Sequence, residues 1–192
     1  MPTPEKTSLD RIVAAGRELL EAGGQRRLTM QAVAEKVGVR APSLYKHVEN
    51  RAALLAAVAE ATIDDLGARL AASDGSLEGL VRAYREFARS WPEGFRLMFS
   101  ADAPSEALAR ASGPVLHASR ELVGEHEALE AARLVTAWAT GFIEMELIGA
   151  FRLGGDVDRA FEYGLSGIRR ALTDGRSPEI GPWSSGMIGP GG

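Results

Sequence analysis

Residues 28–55 constrain the fold most. Val33, Ala34 and Val37 share one face of a short helix, and Thr29 stands where its hydroxyl caps the first free N–H groups. Gly38 suits the left-handed conformation that ends a helix. Pro42 fits the first turn of a second helix, over 42–47, and biases Ala41 toward extended backbone. Asn50 then caps a longer helix with Leu54 and Leu55 inside. Neither short helix is long enough to be stable by itself. The two must share a core, with Val39, Leu44 and Val48 packed back on the first. That packing leaves Arg40, Ala41, Ser43, Tyr45, Lys46 and His47 facing outward. Cations, hydroxyls and an imidazole on one short helix suit a groove lined with acceptors and phosphates, which is how such a helix reads the DNA major groove.

The charge distribution agrees. The chain of 192 residues has a formal net charge of −4. From Gly23 to Arg51 the only acids are Glu35 and Glu49, against Arg26, Arg27, Lys36, Arg40, Lys46 and Arg51. A basic patch on an acidic protein points to local phosphate contact and away from general stickiness.

The remaining pattern is helical almost throughout, so the expected class is all-α. A first helix over 8–22 carries Leu9, Ile12, Val13, Gly16, Leu19 and Leu20 as its stripe. The helix from Asn50 runs to about residue 72, with Val58, Ile63, Leu66 and Leu70 inside. Further helices are expected over 76–91, 95–99, and from Pro104 to about 123, with a break or kink at Gly113-Pro114. The helix over 125–151 is apolar on more than one side, which calls for burial on more than one side. Its polar residues Arg133, Thr136, Thr140 and Glu144 form one stripe. Gly154-Gly155 turns the chain, and Asp156 caps a last helix whose stripe is Val157, Phe161, Leu165, Ile168 and Leu172. The expected division is 1–52 for the DNA-binding unit, 53–175 for a ligand-binding and dimerisation unit, and 176–192, rich in Gly, Pro and Ser, as a disordered tail.

The string Val39-Arg40-Ala41-Pro42-Ser43-Leu44-Tyr45-Lys46-His47-Val48, with Asn50-Arg51 and Leu54-Leu55, resembles the DNA-binding domain of TetR-type transcriptional regulators. The likeness runs from about Ser8 to Ala56. It implies phosphate contacts from Thr29, Tyr45, His47 and Arg51, and places Arg40, Ala41, Ser43 and Lys46 nearest the base edges, with Pro42 opening the helix. In the second half, Trp91 to Phe99 and Trp138-Ala139-Thr140-Gly141 resemble the branch of TetR-type C-terminal domains that carries a Trp-His-Gly-like signature, with Thr140 where histidine is usual. Residues 158–172 resemble that branch's closing helix. This likeness implies a homodimer joined through the last two helices, with Phe161, Leu165, Ile168 and Leu172 as interface candidates.

A ligand cavity is expected among the middle helices. Its candidate lining is Ile63, Tyr84, Phe87, Trp91, Phe95, Met98, Phe99, His117, Trp138 and Phe142. His117, Thr140 or Glu144 would orient a ligand, and an acid inside would favour cations. The aromatic and Met residues suit an apolar, adaptable site. The resulting expectation is a cytoplasmic repressor, released from a palindromic double-stranded DNA operator by a small apolar or amphipathic effector. No cofactor is called for. The chain has no cysteine, so it has no disulfide or thiolate metal site. Its histidines, at 47, 117 and 126, lack metal-binding spacing. Nor is there a nucleophile elbow, phosphate loop, dinucleotide fingerprint or membrane-length apolar run. The alternatives are an enzyme, or a helical module whose helix-turn-helix serves protein contacts.

Overall fold

The computed structural model describes residues 7–100 and 103–174. Among these it is all-helical: α1 Leu9–Gly23, α2 Met30–Val37, α3 Ala41–Leu44, α4 Arg51–Ala71, α5 Leu77–Ser90, α6 Pro92–Leu97, α7 Ser105–Val123, α8 Ala128–Leu147 and α9 Val157–Thr173. The expected tail lies outside the described residues.

Local capping chemistry sets most helix starts. Side-chain oxygens of Ser8, Thr29, Asn50, Ser76 and Asp156 accept backbone N–H groups of α1, α2, α4, α5 and α9 in turn. Gly38 ends α2 at φ 75° and ψ 33°, and its N–H returns to the Ala34 and Glu35 carbonyls. Gly149 does the same for α8 at φ 65°. The Gly149 N–H bonds the Glu146 carbonyl and the Ala150 N–H reaches back to Met145, so α8 stops at Leu147 and not near residue 151. The helix α7 runs through Pro114 unbroken. One absent N–H is a tolerable loss in a helix packed against α4 and α8.

Two apolar cores lie along the chain. The first gathers Ile12, Leu20, Leu28, Val33, Ala34, Leu44 and Val48 with Leu54, Leu55, Val58 and Ala59 of α4. It therefore extends past residue 52 into α4. Leu9, expected on its face, is exposed. The second gathers the lower half of α4 with α5, α6, α7, α8 and α9 around Phe87, Phe95, Ile143 and Phe161. The helix α4 belongs to both, so neither core moves without it.

Phe161 and Leu165 are 0% and 1% exposed inside the second core. This corrects their placement at a dimer interface, because a partner chain cannot reach them. Ile168 and Leu172 are only partly buried. The apolar surface left over lies elsewhere. Leu134, Met145 and Ile148 are exposed along one face of α8, and Tyr163 on α9 is 76% exposed.

A salt-bridge cluster ties α5 to α8 and α9. The guanidinium of Arg85, nearly buried, donates from Nε to Glu146 Oε2 at 2.8 Å and from Nη2 to Glu146 Oε1 at 2.7 Å. It also donates to Asp158 Oδ1 at 2.7 Å and lies over the Phe161 ring at 4.4 Å. Removing one partner of such a pair leaves the other charge stranded. Arg85→Ala is expected to lower stability by about 3–5 kcal/mol, as urea unfolding would show. Arg89→Ala, whose side chain is half exposed at the rim of the same cluster, should cost about 1 kcal/mol or less.

Candidate nucleic-acid interface and its apolar cavity

The helix-turn-helix emerges from α2 and α3. The reading segment is tighter than a full α-helix. Ser43 N–H bonds the Arg40 carbonyl at 2.8 Å and His47 N–H bonds the Leu44 carbonyl at 2.8 Å, both three residues apart. The α-helix proper is only Ala41–Leu44, and 45–47 continue as a turn. Leu44 pins the segment to the first core from below. Arg40, Pro42, Tyr45 and Lys46 are exposed, while Ala41, Ser43 and His47 are half-buried. Tyr45, at 55% exposure, is a large aromatic held in solvent with no core to fill.

Among the described residues Arg26, Arg27, Arg40 and Lys46 carry no intramolecular partner. Lys36 is paired to Glu18 at 2.7 Å. Arg51 departs from expectation as well. Its Nε donates to the Leu28 carbonyl at 2.9 Å and its Nη2 to the Gln25 carbonyl at 2.6 Å. It braces the α1–α2 loop against α4, so it is not a free cation waiting for a phosphate. Thr29 Oγ1 accepts the Ala32 N–H at 3.1 Å, which fixes the start of α2.

A cavity of about 120 Å³ lies between α4, α5, α6, α7 and α8. Of the expected lining residues, Tyr84, Met98 and Phe99 are present. The others are not. Ile63, Phe87 and Phe95 are fully buried core. Trp138 stacks on Phe161 at 5.3 Å between ring centroids and leans on Phe142 at 5.9 Å, so both are packing residues. Trp91 lies under the Arg17 guanidinium at 4.9 Å. His117 is exposed to solvent. The remaining wall is mostly aliphatic, with Leu66, Leu70, Leu80, Val81 and Val135 prominent.

The polar stripe of α8 takes up three different tasks. Thr136 lines the cavity. Thr140 Oγ1 lies 2.9 Å from the Tyr84 hydroxyl. Glu144 approaches Arg96 of α6 at 3.6 Å and is not in the cavity wall. Burial pushes the Tyr84 phenol up to about 12, against a smaller downward pull from Thr140, so the group is neutral.

The short helix α6 joins cavity to reading head. Met98 and Phe99 face the cavity, while Leu97 is fully buried in the first core. Glu21, on α1, accepts the N–H groups of Glu93 and Gly94 at 3.2 and 2.7 Å, closing the start of α6. A side chain at Gly94 would meet Glu21 and Thr62 at 3.1 Å, so glycine is what lets the two halves come this close. Arg17 of α1 adds an ion pair with Asp65 of α4 at 2.8 Å. Burial alone would raise the Asp65 carboxyl, but hydrogen bonds from Arg17 and Arg69 hold it below its ordinary value.

Residues 12–58 match the family model described as bacterial regulatory proteins of the tetR family, and 77–168 match that of the tetracyclin repressor-like C-terminal domain. A curated HTH-type transcriptional regulator of Mycobacterium tuberculosis, itself uncharacterised, is 32% identical over 76% of this chain and 73% of its own. The class A tetracycline repressor of Escherichia coli is 30% identical over 89% of this chain and 81% of its own. The chain belongs to the TetR family. It is a DNA-binding transcriptional regulator.

Solved structures repeat the architecture. A Rhodococcus protein of unknown function superposes with a TM-score of 0.74 at 24% identity, covering 90% of this chain and 99% of its own. A TetR variant of Acinetobacter baumannii, in complex with minocycline, gives 0.67 at 24%, covering 91% and 97%. At that identity they show the fold. No described helix of this TetR regulator is long and apolar enough to cross a membrane. The bracing by Arg51, the Glu21 bond to α6 and the insertion of Leu97 had no sequence signal, since each is a contact between distant segments.

Proposed function

We propose that this regulator is a cytoplasmic, homodimeric repressor that leaves a palindromic operator when a small molecule fills the cavity. The observation that carries the reading is α6. Neighbouring residues of one short segment belong to the cavity wall, Met98 and Phe99, and to the reading head's core, Leu97. Occupancy that displaces Met98 or Phe99 must strain Leu97, Glu21 and, through them, α1 and α4. An effector shifts the equilibrium only by its differential affinity for the two arrangements. Moving it from 1:99 to 99:1 takes about 5.5 kcal/mol.

In the DNA complex, Arg40, Ala41, Ser43 and Lys46 lie nearest the base edges, with Pro42 setting the start of the segment. Thr29, Tyr45 and His47 hold phosphates, joined by the unpaired Arg26 and Arg27. The exposed face of α8, with Leu134, Met145 and Ile148, meets its symmetry mate together with Tyr163, Ile168 and Leu172 of α9. Such a two-fold would set the reading heads roughly 34–36 Å apart, one turn of the duplex. The C-terminal half is assigned to the Trp-His-Gly-like branch, in which Thr140, bonded to Tyr84, takes the histidine's place.

Selection of a binding site from random duplex DNA tests this reading, followed by a screen for compounds that release the duplex. A palindrome is the expected product, and an asymmetric or unselected sequence would contradict it. Tyr45→Phe should weaken binding to the selected site by roughly tenfold or more, because each dimer loses two hydrogen bonds to charged oxygens. Its thermal midpoint should stay unchanged, and undiminished affinity would remove Tyr45 from the interface.

A further inference from the structure

We propose that the cavity takes an uncharged, apolar molecule of about one ring or a short branched chain, and refuses charged or metal-chelating ligands. This rests on the reading of the cavity as an effector site and names the chemistry of that effector.

Size gives the first limit. The cavity is about 120 Å³. An apolar cavity of about 150 Å³ holds benzene and stays dry when empty. A polycyclic drug does not fit without rebuilding the walls. Met98, unbranched and polarizable, and Phe99, 54% exposed at the rim, are the walls that yield. They widen the entrance more readily than the aliphatic floor of Leu66, Leu80 and Val135.

Charge gives the second limit. Among the described lining residues none carries a carboxylate, ammonium, guanidinium or imidazole. Tyr84 is neutral and its hydroxyl is engaged with Thr140. Ser112 Oγ donates to the Ala109 carbonyl at 2.8 Å. Thr136 alone keeps an unengaged hydroxyl, so the wall offers one polar partner. A ligand charge buried here would lose its water and find no counter-charge. Among the described residues no three His, Cys, Asp or Glu side chains group to hold a metal ion, so a metal-chelated ligand gains no anchoring site on the protein either. The class A tetracycline repressor is a relative, yet this wall is built for a smaller and drier guest.

The test is calorimetric titration of the full chain, free of DNA, with toluene, with benzoate, and with tetracycline plus Mg²⁺. Toluene should bind with a sub-millimolar Kd, and benzoate, nearly the same size but charged, at least about 100-fold more weakly. Tetracycline with Mg²⁺ should give no heat beyond dilution. Ala111→Leu and Ala139→Leu, which place a larger side chain on the cavity wall, should each weaken toluene about tenfold or more. Ala111 is half-buried, so that variant keeps the fold if Ala139→Leu does not. Benzoate or tetracycline binding as tightly as toluene would overturn the proposal. So would an absence of toluene binding, or toluene binding indifferent to Ala111→Leu. Release of the selected operator is measured separately. Toluene that binds but does not release DNA leaves the ligand chemistry standing and refutes the effector reading.

Discussion

Replacing Arg40 and Lys46 together by alanine is expected to lower operator affinity by at least about a thousandfold. Both side chains are exposed and unpaired within the protein, so nothing in the fold depends on them. A dimer loses four cations from its two reading segments, and each base or phosphate contact contributes about 1–3 kcal/mol. Even the lower figure sums to roughly 4 kcal/mol, which is three decades of affinity. The thermal midpoint should move little, because surface changes away from special features stay within about 0.5 kcal/mol. Fluorescence anisotropy on a labelled operator reads the loss directly. A change under tenfold would mean that the exposed segment does not lie in the groove.

Leu165→Glu is expected to unfold the protomer, whereas Leu134→Glu separates the two protomers and leaves each one folded. Leu165 is 1% exposed among the residues around Phe161, so a carboxylate there is buried without a partner. The cost is about 4 kcal/mol or more, a large share of the stability of a domain this size. Leu134 is half exposed on the outer face of α8, where the same charge is harmless to the single chain and repelled by its own copy across a two-fold. Mass measurement with circular dichroism separates the cases. A helical monomer from Leu134→Glu supports the interface on α8. A helical monomer from Leu165→Glu would place the interface on α9 after all.

The contrast between these leucines shows how far the sequence could be read. Features written within a few residues were legible: the caps at Ser8, Thr29, Asn50, Ser76 and Asp156, and the stop at Gly38. Each depends on a side chain bonding backbone close by, so local order is enough to reveal it. The stripe Phe161–Leu165–Ile168–Leu172 was equally visible, but periodicity says only that residues share a face. It does not say whether that face meets its own chain or another. The structure turns Phe161 and Leu165 inward and leaves the surplus apolar surface on α8. The cavity failed for the same reason. Phe87, Phe95, Trp138 and Phe142 fill the core, and the hollow is walled mainly by leucine and valine that no spacing distinguishes from packing. Arg51, Glu21 and Arg85 find partners 23 or more residues away, beyond the reach of any local pattern.

The central claim is that two copies of one short, cationic segment grip a duplex together. Titration of the wild-type chain against a duplex selected for it, repeated across a range of salt, tests this most directly. Two chains per duplex are expected, with log K falling linearly against log salt at a slope of magnitude about 5 or more, as several neutralised phosphates require. One chain per duplex, or an affinity that ignores salt, would contradict it.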